Sequence, residues 1–155
     1  MENEFSKLAE NVLTKEDLIS LLEEIDFVEN LIFKEKEKKL SEKIERKVSF
    51  DLENFVKELE KKEKLENLKE VEKIFENLKK YLLSLPQIKL KIAFEPKRDF
   101  QEKIAKIFDK KLILDFEVDP EIIGGVIVEY EGKIFDFSLK RNLERILKEE
   151  FYGGV

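Results

Sequence analysis

The side chains here that could do chemistry are those of Lys, Arg, Asp, Glu, Ser, Thr and Tyr, because the chain contains neither His nor Cys. That excludes disulfides, thiolate zinc sites, imidazole metal ligands and any Ser or Cys nucleophile activated by His. Carboxylates are abundant, 36 acidic residues against 30 basic ones, so pairs such as Glu23-Glu24 and Glu149-Glu150 are expected by chance and read as solvated helix faces. Ser138 has no candidate base beside it and reads as a helix cap. The doubled glycine Gly124-Gly125 is unusual, since no glycine precedes it. A phosphate loop would also need convergent backbone N–H groups, a Lys or Ser/Thr partner and a helix starting at the loop, and "IIGGVIVEY" leads into a strand instead. The glycines are read as a reversal: Asp119 caps a short helical turn, Pro120 opens it, and glycine supplies the positive φ or close approach the reversal needs. No residue is assigned as catalytic, cofactor-binding or metal-ligating, and no cofactor is expected.

The elements carrying these residues come from a chain of 155 residues, 42% hydrophobic and 43% charged, with net charge −6. Its apolar residues are too many and too regularly spaced for a disordered segment. No basic face is evident, which argues against nucleic acid as partner. No apolar run approaches the roughly 20 residues of a membrane span, and the acidic, Lys-punctuated start is not a secretory signal; a cytoplasmic protein is expected. The run "KEKEKK" (Lys34 to Lys39) reads as a solvated helix or linker, with contact to an anionic surface the alternative. Lys/Glu enrichment fits a heat-adapted source and an AT-rich genome equally.

Up to Leu85 the spacing is helical. Thr14 with Asp17 resembles a capping box, and Leu18, Leu21, Leu22, Ile25, Val28 and Ile32 share one face. A shorter segment precedes it (Phe5, Leu8, Ala9, Val12), and three follow: Leu40 to Val48, Asp51 to Glu63, and Leu65 to Leu85. Five amphipathic helices predict a bundle, with one long coiled coil as the alternative. After Pro86 the period becomes two, with Ile88, Leu90, Ile92 and Phe94 on one face. Helical spacing returns at Phe100, Ile104, Ile107 and Phe108. "KLILDFEV" then alternates through Leu112, Leu114, Phe116 and Val118. A third strand runs from about Gly125 to Tyr130, Glu131-Gly132 makes a two-residue hairpin turn, and Ser138 caps a last helix bearing Leu139, Leu143, Ile146 and Leu147. The expectation is an α+β chain: a helical bundle over 1–85, a small strand-helix-strand-strand-strand-helix domain over 86–150, and a frayed terminus over 151–155.

"VDPEIIGGVIV", a hairpin glycine and "IFDFSLKRNLERI" together resemble the C-terminal signature of the ATP synthase delta subunit (OSCP) family. The matching places are Val118, Asp119, Pro120, Ile122, Ile123, Gly124, Gly125, Asp136, Ser138 and Leu143. "NFVKELEKKEKLENLKEVEKIF" (Asn54 to Phe75) is similar to the family's last two bundle helices. Phe137 stands where the family often has Gly, and the family's usual opening is only echoed by "FSKLAENV".

The resemblance implies a non-catalytic stator subunit of a proton- or sodium-translocating ATP synthase, peripheral on the inner face of the cell membrane. Its bundle would bind N-terminal segments of the alpha subunits and its C-terminal region the C-terminal helices of the b subunit. Exposed apolar positions are expected in the bundle. The alternatives are an E-type peripheral-stalk subunit of an archaeal or vacuolar-type ATPase, an unrelated two-domain adaptor, and a small enzyme or ligand-binding domain working through Lys and Glu.

Overall fold

The structure, a computed structural model, describes residues 2–34, 39–62 and 68–152. Residues 35–38 of the Lys/Glu run, and 65–67 at the expected start of the fifth helix, lie outside the described residues. The chain divides into two compact units, one of Met1–Val12 with Glu16–Leu85, the other of Leu13–Lys15 with Pro86–Val155.

The first unit holds helices α1 (Glu2–Ala9), α2 (Lys15–Lys34), α3 (Leu40–Ile44), α4 (Phe50–Lys61) and α5 (Leu68–Ser84). Each supplies an apolar stripe because residues three and four apart share a face. From α2, Leu18, Leu21, Ile25 and Val28 are buried; from α4, Leu52, Phe55, Val56 and Leu59; from α5, Val71, Ile74, Phe75, Leu78 and Leu82. Aromatic contacts run through this core, Phe5 to Phe55 at 6.1 Å between ring centroids and Phe55 to Phe75 edge-on at 6.4 Å. Two carboxylates join helices instead of facing water. Glu24 accepts from Ser49 N–H at 2.9 Å and its hydroxyl at 2.6 Å, and Glu60 accepts from Ser41 N–H and hydroxyl at 2.9 and 2.6 Å. The solvated-face reading therefore fails for Glu24: burying the turn before α4 leaves the Ser49 donors in need of an acceptor.

The second unit is built on a mixed four-stranded sheet of order β2-β1-β3-β4. β1 (Gln87–Ile92) and β2 (Ile113–Val118) are parallel, so a crossover must join them, and α6 (Arg98–Ala105) supplies it. β3 (Val126–Tyr130) runs antiparallel to β1, and β4 (Lys133–Asp136) antiparallel to β3. Glu131 and Gly132 turn the hairpin at φ 49° and 74°, the two positive values of a type I′ turn. Ile88, Leu90, Leu112 and Leu114 form the core, against which Ile104, Ala105 and Phe108 pack from the α6 side and Val126, Val128 and Tyr130 from β3. α6 ends earlier than its spacing predicts: Ile107 lies beyond it and is 71% exposed. Ile113 also departs from simple alternation, being fully buried although its neighbours Leu112 and Leu114 are too. At the β2 edge Thr14 forms a parallel bridge to Leu114, and Lys15 pairs with Asp115 at 2.9 Å. The last helix, α7 (Leu139–Tyr152), extends two residues into the stretch expected to fray.

Candidate partner-binding surface

The segment between β2 and β3 is shaped by local hydrogen bonding. The Asp119 carboxylate accepts from Glu121 N–H at 3.0 Å and caps a 3₁₀ turn, Pro120–Ile122, whose Ile122 is buried. Gly124 N–H then donates to Ile122 C=O at 2.7 Å around Ile123 at φ 69°, ψ −42°. This is the positive-φ γ-turn, rare for any residue and strained for a β-branched one. Gly125 follows at φ 78°, and a Cβ there would lie 2.3 Å from Phe137 C=O and 3.0 Å from Ser138 Cα. The pair thus seats the β4–α7 connection directly against the start of β3. Phe137 N–H donates to Val126 C=O and Leu139 N–H to Gly124 C=O, both at 2.9 Å. The phosphate-loop reading is replaced by a backbone clamp.

Asp136 and Ser138 complete that clamp. Ser138 N–H donates to the Asp136 carboxylate at 2.9 Å, and Arg141 N–H donates to Ser138 Oγ at 3.3 Å, capping α7. Hydrogen bonds from the Ser138 hydroxyl, then from its N–H, hold the Asp136 carboxyl below its ordinary range. Ser138 is 3% exposed, so its hydroxyl is committed to the cap and withdrawn from any substrate. Phe137, where the resembled family often has Gly, turns its side chain to solvent at 62% exposure, which leaves the turn its backbone path.

Exposed apolar surface is distributed unevenly. Of the fourteen exposed large apolar side chains among the described residues, ten belong to the second unit. On β4 and the connection after it, Ile134, Phe135 and Phe137 are open; on α7, Leu139, Leu143 and Ile146; beside them, Ile123. The expectation had placed such residues in the bundle, where only Ile19, Phe27, Phe50 and Leu83 are so exposed. A single isolated Leu needs no explanation, but a contiguous run on one edge strand and helix marks an interaction surface.

The charged groups, by contrast, satisfy one another. Glu117 receives Lys89 at 2.7 Å and Lys91 at 2.8 Å across the β1–β2 pair; those two hydrogen bonds, Lys89 first, bring its carboxyl down to about 2. Lys79 bridges Asp26 at 2.7 Å and Glu29 in an open groove that Glu72 and Glu76 also line. Burial works against the charged ammonium there, but the two carboxylates outweigh it and raise its pKa. Among the described residues no group of three or more Asp and Glu is arranged to hold a metal ion, and no helix is long and apolar enough to cross a membrane.

A helical unit joined to a small mixed-sheet unit, with paired charges and an apolar edge, defines a binding subunit in class. Its family is equally clear: the chain belongs to the ATP synthase delta (OSCP) subunit family, whose description matches residues 1–149. Over 126 residues it is 32% identical to an ATP synthase subunit delta of Caldanaerobacter subterraneus, covering 79% of this chain and 71% of that one. The subunit delta of Solidesulfovibrio magneticus is 36% identical over 105 residues, 65% of this chain and 57% of its own length. That of Lactobacillus delbrueckii is 46% identical over 61 residues, 36% and 34% respectively. The chain thus spans from about a third to just over half of the length of several of these relatives. Family membership decides for the delta type over the E type. Sequence reasoning reached the signature residues but missed Ile134, Phe135 and Phe137 as surface; only the position of β4 at the sheet edge exposes them.

Proposed function

We propose that this chain is the stator subunit of the peripheral stalk of a rotary F-type ATP synthase, tying the catalytic alpha/beta head to the b-subunit stalk without catalysing a reaction itself. Residues 1–85 act as the helical domain that takes the N-terminal segments of alpha, and residues 86–150 as the domain that engages the C-terminal helices of b. The complex then holds the subunit peripherally at the inner face of the cell membrane. The observation that carries this reading is the open apolar surface of β4 and α7 in a chain of this family. A subunit that must resist torque needs adhesive surface, and apolar area flanked by charge provides it. The test is titration calorimetry of the full chain with an alpha N-terminal segment and a b C-terminal segment from the same organism. Each is expected to bind saturably at its own site; binding of neither would overturn the proposal.

A further inference from the structure

We infer that helix α7 seats an acidic-rimmed amphipathic helix, with Leu139, Leu143 and Ile146 as the apolar seam and Lys140 and Arg145 as its two cationic flanks. The inference rests on the stator reading for the source of the partner helix and adds its chemistry and its seat. At about 100° per residue the three apolar side chains fall within an arc of about 60°, and each is half-open, at 49%, 47% and 44% exposure. By the same geometry Lys140 lies about 100° to one side and Arg145 about 120° to the other. Arg141 and Glu144 point away from the seam, and the Arg141 guanidinium donates to Asp136 C=O at 3.3 Å. Among the described residues neither Lys140 nor Arg145 forms an ion pair, in a domain where Lys89, Lys91 and Lys15 are all paired. An apolar stripe between two uncompensated cations matches a helix that carries its own stripe between carboxylates. A second copy of α7 would oppose cation to cation.

The experiment uses the full chain and two labelled helical peptides with the same apolar i, i+3, i+4, i+7 stripe, one rimmed with Glu and one with Lys. Fluorescence anisotropy is read at about 50 mM and about 500 mM salt, where screening differs strongly. The Glu peptide is expected to bind about tenfold more tightly at low salt, a margin that shrinks at high salt. The double variant K140E/R145E reverses the preference, and L143D abolishes binding of both peptides with helicity by circular dichroism unchanged. Equal binding of the two peptides overturns the inference, and so does a preference that K140E/R145E leaves intact. Self-association, or uptake onto anionic lipid vesicles, that L143D removes also overturns it, since α7 then serves another occupant. The b C-terminal segment separates the two readings. If it binds regardless of salt and of K140E/R145E, the inference falls and the stator reading stands. If it does not bind while the Glu peptide behaves as described, the stator reading loses its b contact and the inference stands.

Discussion

Replacing Gly125 with Ala places a methyl group where the backbone of the β4–α7 connection already is. At φ 78° an L-residue costs about 1–2 kcal/mol relative to glycine. The added Cβ would stand 2.3 Å from Phe137 C=O and 3.0 Å from Ser138 Cα, and a backbone atom cannot rotate aside as a side chain can. The connection must therefore lift, which threatens the Phe137-to-Val126 and Leu139-to-Gly124 hydrogen bonds, each worth about 0.5–1.5 kcal/mol net. The total is about 2–5 kcal/mol. Two internal references sharpen the expectation. Gly132 shares a positive φ of 74° but has nothing within 4 Å, so G132A costs only the conformational part. Gly124 has no positive φ, and its Cβ would meet the Leu139 Cδ1 at 2.8 Å; that side chain can turn away, and G124A costs less than about 1 kcal/mol. Urea unfolding followed by hydrogen exchange at the amides of Phe137 and Leu139 would rank the three. Should G125A prove no more damaging than G132A, the clamp does not hold the connection and the reasoning is wrong.

Two further expectations follow from the same domain. Ile123→Gly removes a β-branched residue from a strained γ-turn at a site 62% exposed; set against glycine's own entropy cost, the net gain is about 0.5–1 kcal/mol, readable as a rise in thermal midpoint, and a fall in midpoint counts against the strain. The Glu117 carboxyl titrates near 2 in the folded chain against an ordinary 4.5. Its contribution to stability is fully present above about pH 4.5 and is lost as pH falls toward and through about 2. Glu117→Gln should flatten the acid limb of the stability profile, and a Glu117 resonance titrating above pH 4 would refute the assignment.

Much of the fold could be read from period alone, and the exceptions have physical causes. The switch at Pro86 from a stripe every 3.6 residues to strict alternation marks the start of β1, and the Glu131-Gly132 turn follows from its length and its glycine. Apolar spacing could not decide between a buried and an offered surface, because Leu82 and Leu143 look alike along a helix. Only the packing separates them: Leu82 is fully buried and Leu143 is 47% exposed. Spacing carried α6 past Ala105 for a similar reason, since Phe108 does pack on the core, but from the turn beyond the helix end. The structural use of Glu24 and Glu60 was hidden because their serine partners lie 25 and 19 residues away, a separation no local pattern reports. Asp119, Pro120 and Ser138 were legible as caps because a cap acts within three residues of itself.

The clamp at Gly124 and Gly125 also bears on mechanics. Helix α7 is joined covalently only to the edge strand β4, and a tug on it would by that route peel the sheet one hydrogen bond at a time. Because Phe137 and Leu139 are also tied to Val126 and Gly124, tension on α7 enters two neighbouring strands at once, and β3 passes it inward to β1 along their antiparallel ladder. The attachment is thus loaded in shear across several bonds together, the stiffer of the two ways to pull on a sheet.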